Sequence, residues 1–244
     1  MHGARGRKMP LIFEKFASNL DVLISEGSML SRPSEKVMTE HELGAKAAEL
    51  VEKHKNIFVL ASSTNIDRIA VFYNAAIKAK KPFVICDDYQ GDILKIITEN
   101  SRSPFYDFTR QKIYTYNSGK KLNDYMKDCG FVMMIRVNYA STKAIKAFPD
   151  NLLVYSMWSG YLQEGRSCFD KRTFDFIEDA KAEGSQFVQL HTSGHATTDD
   201  IIRLCEATKP KKIIPIHSEK PESFKNLGID SEIIVLQDGE EISI

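Results

Sequence analysis

Leu190-His191-Thr192-Ser193-Gly194-His195-Ala196 and Ile213-Ile214-Pro215-Ile216-His217-Ser218-Glu219 are two histidine loops built on small residues, with His195 and His217 22 positions apart. Each loop follows an apolar β-type run, which sets an imidazole at the carboxyl edge of a strand, where α/β sheets hold ligands and catalytic groups. Between them stands Thr197-Thr198-Asp199-Asp200 followed by Ile201, Ile202, Leu204 and Cys205. A hydroxyl cap, two acids in the first turn and an apolar stripe read as a helix start. The unit is strand, His loop, helix, strand, His loop. Ser193 and Gly194 allow close backbone approach, and the following helix turns its unpaired N–H groups toward whatever sits beside His195, which suits an anion. His217, fixed by Pro215 at a strand end and followed by Glu219, suits zinc or manganese, which neutral imidazole with a fixed tautomer binds. Histidines that are merely hydrogen-bonded at strand ends would look the same.

Outward from these loops, the middle of the chain alternates strands and helices. Short apolar runs at 57–61, 83–86, 131–137 and 152–155 read as strands. Apolar residues three and four apart at 39–54 and 66–80, and over shorter stretches at 90–100 and 172–183, read as helices. Such alternation implies right-handed crossovers and a parallel sheet covered by helices, an α/β class. The turn-rich stretches 101–108 and 163–170 are expected as rim loops. Gln237-Asp238-Gly239 inside the run from Ile233 to Ile242 is expected as a hairpin turn.

Composition narrows the function classes only a little. The 244 residues, 43% hydrophobic and 27% charged, can bury a sizeable core as one large domain or two modest ones. Lys plus Arg equals Asp plus Glu at 33 each, so no global field draws the chain to nucleic acid or membrane, and any phosphate binding is local. Cys86, Cys129, Cys168 and Cys205 stand far apart, without zinc-ribbon spacing, as expected of reduced thiols in a cytoplasm. The basic start is followed only by Leu11-Ile12-Phe13, and no apolar run approaches membrane length, so neither a secretory leader nor a membrane span is expected.

The pair Ser193-Gly194-His195-Ala196 and Pro215-Ile216-His217-Ser218-Glu219 resembles the closing motifs of the β-CASP branch of metallo-β-lactamase-fold nucleases, which includes ribonuclease J and the cleavage and polyadenylation endonuclease. Leu20-Asp21-Val22-Leu23-Ile24-Ser25-Glu26-Gly27-Ser28 is similar to the strand that delivers the family's first β-CASP acid. Ser63-Thr64-Asn65-Ile66-Asp67-Arg68 resembles the segment that opens a helix against the RNA backbone, and Tyr155-Ser156-Met157-Trp158-Ser159-Gly160-Tyr161-Leu162 fits less specifically. Order and spacing agree over nearly the whole chain. The resemblance implies a β-CASP domain with a parallel sheet flanked by helices, over residues 34 to 185. Residues 1 to 33 and 186 to 244 would then be parts of a metallo-β-lactamase αββα lobe, with divisions near Arg32-Pro33-Ser34 and Gly184-Ser185.

The same resemblance implies residue roles. His195 would donate a proton to the leaving oxygen of a cleaved phosphodiester, with Glu26 orienting it; a turn cap made by Glu26 with Gly27 and Ser28 is the alternative. His217 would be a zinc ligand. Ser193, Gly194, Thr64, Asn65 and Arg68 would cradle the RNA backbone without reading bases, although Thr64 and Asn65 are also ordinary helix caps and Asp67-Arg68 an ordinary solvated pair. Arg5, Arg7 and Lys8 would add positive charge. His2, His41, His54, His191 and the aromatic Tyr155, Trp158 and Tyr161 gain no role.

One departure bears on activity. Family members build a two-metal site from an early His-x-His-x-Asp-His run with further His and Asp ligands, and the six histidines of this chain include no such run. The opening Met1-His2-Gly3-Ala4-Arg5-Gly6-Arg7-Lys8 resembles the stretch after the family's Gly-Asp ligand motif. The expectation is the C-terminal portion of a zinc-dependent RNA-processing nuclease, inactive alone. Its partners would be single-stranded RNA or other nucleic acid, a chain carrying the other half of the lobe, or a second copy of itself. The alternatives are a non-catalytic nucleic-acid-binding or assembly subunit, and an unrelated α/β domain with structural histidines.

Overall fold

A computed structural model describes residues 9–31 and 37–243. In chain order the elements are α1 (Met9–Phe16), β1 (Val22–Glu26), α2 (Glu40–Lys53), β2 (Asn56–Leu60), α3 (Ile66–Lys78), β3 (Phe83–Ile85), α4 (Asp88–Asn100), β4 (Ile113–Thr115) and α5 (Lys120–Cys129). They continue with β5 (Phe131–Ile135), α6 (Tyr139–Ala147), β6 (Asn151–Tyr155), α7 (Lys171–Ala182), β7 (Gln186–Gln189), α8 (Thr198–Thr208), β8 (Lys212–Ile216) and β9 (Glu232–Ile233). The chain divides into two compact units, one of residues up to Glu40 together with those from Thr192 on, the other His41–His191.

The unit His41–His191 is built on a six-stranded sheet in the order β4-β3-β5-β2-β6-β7, with every pairing parallel. β5 and β6 are buried at every position, as expected of near-continuous apolar strands covered on both faces. Alternation sorts their side chains. Phe58, Leu60, Phe131, Met133, Ile135, Leu153 and Tyr155 pack with Met126 of α5, Ala144 and Ile145 of α6, and Phe176, Ile177 and Ala180 of α7. The intervening residues face the other way, where α3 lies on β3 and β5, and α4 on β3 and β4. The split follows from right-handed crossovers: α3 and α4 lead the chain toward one edge, and α5, α6 and α7 bring it back toward the other.

The four expected strands and four expected helices of this unit are present with shifted ends, whereas β4, α5 and α6 were not foreseen. β4 is three residues long and nowhere fully buried. α5 buries only Met126, too thin an apolar stripe to stand out from its charges. α6 begins at Asn138, whose side chain accepts from Ser141 N–H at 2.8 Å, a cap read off the structure rather than the periodicity.

The other unit holds a three-stranded parallel sheet, β1-β8-β9. Leu23, Ile213 and Ile233 from the strands meet Ile201 and Cys205 of α8, together with Leu30, Phe224, Leu227 and Ile229, in one apolar cluster. α8 starts where Thr197 caps it by accepting from Asp200 N–H at 3.2 Å, the expected hydroxyl cap.

Three details differ from the sequence reading. β7 is hydrogen-bonded to β6, so the two His loops follow strands of different sheets, and the compact unit runs to His191, beyond the division expected near Gly184-Ser185. The turn at Asp238-Gly239 forms, with Glu240 N–H on the Gln237 carbonyl at 3.0 Å, but no hairpin pairs across it among the described residues, and β9 runs parallel to β8. The division expected at Arg32-Pro33-Ser34, and His2, Arg5, Arg7 and Lys8, lie outside the described residues. Among the described residues no helix is long and apolar enough to cross a membrane.

Candidate functional site

Parallel pairing of β1 with β8 sets Glu26 opposite Ile216, so the carboxyl ends of the two strands lie side by side and His217 emerges next to the turn Glu26-Gly27-Ser28. That turn needs glycine at its centre. A Cβ on Gly27 would stand 2.5 Å from Cε2 of Phe224 and 3.0 Å from the Ser218 hydroxyl oxygen. Phe224 is fully buried in the cluster beneath and has little room to yield.

Glu26 joins its own turn to the His195 loop. Its Oε1 accepts from Ala196 N–H at 2.7 Å, its Oε2 accepts from Ser28 N–H at 3.0 Å, and Oε2 lies 3.3 Å from Nδ1 of His195. Burial pushes the carboxyl pKa upward, but contacts with Ser28, the Ala196 N–H and the charge His195 can carry outweigh it, and the group sits below its ordinary 4.5. Glu26 is therefore an anion at neutral pH, and it turns His195 Nδ1 inward. Ser193 closes the loop from the other side, its hydroxyl accepting from His195 N–H at 3.1 Å.

His195 and His217 face each other with ring centroids 5.2 Å apart and planes tilted by 41°. One donor atom from each of Glu26, His195 and His217 falls within 4.8 Å of the others. His217 has φ of +47°, a left-handed conformation that costs a residue with a Cβ about 1–2 kcal/mol. The Ser28 hydroxyl oxygen holds it twice, at 3.0 Å from Nδ1 and at 3.0 Å from the His217 carbonyl oxygen.

Two imidazoles and a carboxylate are the donor types of catalytic zinc centres. The set fits zinc in part: His217 offers a ring nitrogen, while both oxygens of Glu26 already accept main-chain hydrogen bonds. The sequence reading counted His217 alone as a surviving ligand; three candidate donors stand together.

The residues expected to cradle RNA fare differently. Gly194 is exposed, and a Cβ there would meet nothing within 4 Å. In the other unit, Thr64 lies at an exposed loop with its hydroxyl 3.0 Å from that of Ser62, and Asn65 caps α3 by accepting from Arg68 N–H at 3.1 Å. Arg68 requires correction. Its side chain is 0% exposed, with Nη1 donating to the Ser156 hydroxyl and to the Leu190 carbonyl at 3.3 Å. A guanidinium so enclosed ties the ends of β6 and β7 to α3 and touches no phosphate. Nor are Asp67 and Arg68 a solvated pair, since Arg68 is fully buried, and Asp67 accepts from the Tyr106 hydroxyl.

Two residues gained significance only from the structure. Ser28 was quoted as part of a motif, yet its partner His217 lies 189 positions away and no local pattern announces it. His191 is a neutral imidazole: burial, then the charge of Arg68, push its pKa down to about 4, against a partly opposing hydrogen bond with the Ser156 main chain.

Over its whole length the fold is similar to that of a solved protein of unknown function from Enterococcus faecalis V583, with a TM-score of 0.71 at 22% identity, covering 99% of this chain and 55% of that one. The chain thus spans about half the length of that protein. Residues 185–232 match the family described as the Zn-dependent metallo-hydrolase RNA specificity domain. They include both His195 and His217. The likeness to that family is confined to this segment, and it is consistent with a member of the β-CASP metallo-β-lactamase family.

Proposed function

We propose that this chain is the RNA-specificity and proton-handling part of a zinc-dependent metallo-hydrolase that cleaves phosphodiester bonds in single-stranded RNA. The observation that carries the reading is the convergence of Glu26, His195 and His217 inside 4.8 Å, two of them within the RNA-specificity segment. His195, its Nδ1 turned to Glu26, presents Nε2 outward, and in the protonated state delivers that proton to the leaving oxygen. Glu26 fixes the ring by holding its Nδ1. His217 supplies a nitrogen donor to zinc, which when bound polarises a phosphoryl oxygen and offsets its negative charge. Ser193 and Gly194 hold the RNA backbone at the opening of α8.

Three donors do not make a two-metal centre, and the chain has no His-x-His-x-Asp-His run. We assign the remaining ligands to sequence outside these 244 residues, so these residues by themselves are inactive. The test is cleavage of an end-labelled single-stranded RNA in zinc, by the chain alone and with a polypeptide carrying such a run. Cleavage is expected only in the mixture, falling by about 100-fold or more with His195→Ala, while RNA association followed by fluorescence anisotropy persists. Undiminished cleavage by the variant refutes the proton-donor role. RNA association without cleavage in every mixture establishes instead a non-catalytic binding subunit.

A further inference from the structure

We infer that Ser28 is a positioning residue for His217: its hydroxyl holds the imidazole in the Nδ1–H tautomer and so leaves the Nε2 lone pair as the donor to zinc. The inference rests on the metal reading of His217 given above and adds the group that makes this ring a competent ligand.

The Ser28 hydroxyl oxygen lies 3.0 Å from the His217 carbonyl oxygen and 3.0 Å from its Nδ1. The carbonyl oxygen, and the Glu26 carboxylate that the same hydroxyl also serves, can only accept, so the single hydroxyl proton goes to one of them and not to Nδ1. What remains on the Ser28 oxygen is a lone pair, and the ring satisfies it only by donating from Nδ1–H. The opposite tautomer would set two acceptors, the carbonyl and a bare Nδ1, against one proton and leave one of them unpaired. A lost hydrogen bond of that kind costs about 1 kcal/mol, close to a fivefold preference. With Nδ1 protonated, Nε2 carries the lone pair. Ligating histidines commonly donate their second ring N–H to a protein group, which fixes the ring and raises its basicity.

Ser28 is itself held in place. Its N–H donates to Oε2 of Glu26 at 3.0 Å, and its carbonyl accepts from the Ser31 hydroxyl at 3.2 Å. It opens the turn Ser28–Ser31, in which Met29 and Leu30 are buried. The main chain and hydroxyl of this residue thus both serve Glu26, and the hydroxyl oxygen also serves His217. The hydroxyl also grips the carbonyl of the residue whose φ is +47°, so one contact fixes both the left-handed backbone and the ring tautomer.

The test uses the full chain labelled with nitrogen-15 in its histidines, at about pH 8, above the ordinary histidine range. Long-range proton–nitrogen correlations report the tautomer of each ring, with His217 assigned by its loss in His217→Gln. The wild-type ring should be mainly Nδ1–H. Ser28→Ala keeps the main-chain N–H to Glu26, and the His217 preference should collapse; Ser28→Thr should retain it. Competition with a chromophoric chelator should show zinc affinity of the chain falling by about 10–100-fold in Ser28→Ala and recovering in Ser28→Thr. A wild-type ring found as Nε2–H overturns the inference, as does a Ser28→Ala protein with matched unfolding midpoint whose tautomer is unchanged. A lost tautomer preference with unchanged zinc affinity overturns the link to the metal. None of these readings depends on RNA cleavage, so a failure of the proposed nuclease activity is seen separately.

Discussion

Gly27 and His191 illustrate how the sequence around the site is fixed by contacts that a reader of the chain cannot see. Gly27 looks like a flexible turn residue, but it is required because the Phe224 ring occupies the space a Cβ would take. Gly27→Ala should cost about 1–3 kcal/mol, the usual range for overpacking a closed core, read as a lowered urea midpoint; an unchanged midpoint would mean that Phe224 yields freely. His191 predicts a pH effect. The unfolded chain takes up its proton near 6.5, whereas the folded chain does so only near 4. The unfolded state therefore binds more protons between those values, and stability rises with pH across that window. The contribution is fully present above 6.5 and declines as pH falls toward 4. Urea unfolding of the wild type and of His191→Gln, compared at about pH 7 and about pH 5, should show the wild type losing more on acidification. Equal losses would place the ring in solvent.

At this scale the site was legible through motif order and the structure-bound contacts were not. Glu26, His195 and His217 could be named from the sequence because their order matches a known pattern. Ser28 and Arg68 could not be read correctly, since a hydroxyl's partner 189 positions away and the complete burial of a guanidinium leave no trace in local composition.

The element that Arg68 organises is the junction of α3 with the ends of β6 and β7. Its N–H groups reach Ser156 and the Leu190 carbonyl, acceptors on the two strand ends. Arg68→Met should destabilise the protein by about 2–4 kcal/mol, the range for stranding buried polar partners. Because the side chain is enclosed, RNA affinity of whatever remains folded should match the wild type in anisotropy. A selective loss of RNA binding at unchanged stability would return Arg68 to the phosphate cradle. Elements with strong periodicity, such as α3 and β5, were read from sequence within a few residues. β4, α5 and α6 escaped because short edges and mostly solvated helices bury too little to create a pattern. β7, with Gln186 and Gln189 exposed, carries half the apolar content of its neighbour β6, and only pairing assigns it to the six-stranded sheet.

Across the whole molecule, the α/β class was legible in the alternation of strands and helices, while the expectation of an inserted middle domain rests on resemblance rather than on linker composition. Both units use parallel strands and bring chemically active residues to carboxyl ends: Glu26 and His217 in one, Ser156 and His191 in the other. The donor count sets an expectation for the intact chain. With three candidate donors, one of them committed to main-chain hydrogen bonds, the purified and desalted protein should retain well under one zinc per chain by elemental analysis. Tightly held stoichiometric zinc would mean that these residues complete a centre unaided.

The most direct measurement is a crystal of the chain grown in zinc, with anomalous diffraction collected at the zinc edge. The account predicts an anomalous peak at the Glu26, His195 and His217 centre, about 2.0–2.1 Å from Nε2 of His217, with Nδ1 still on Ser28. Zinc bound only elsewhere, or coordinated through Nδ1 of His217, would contradict it.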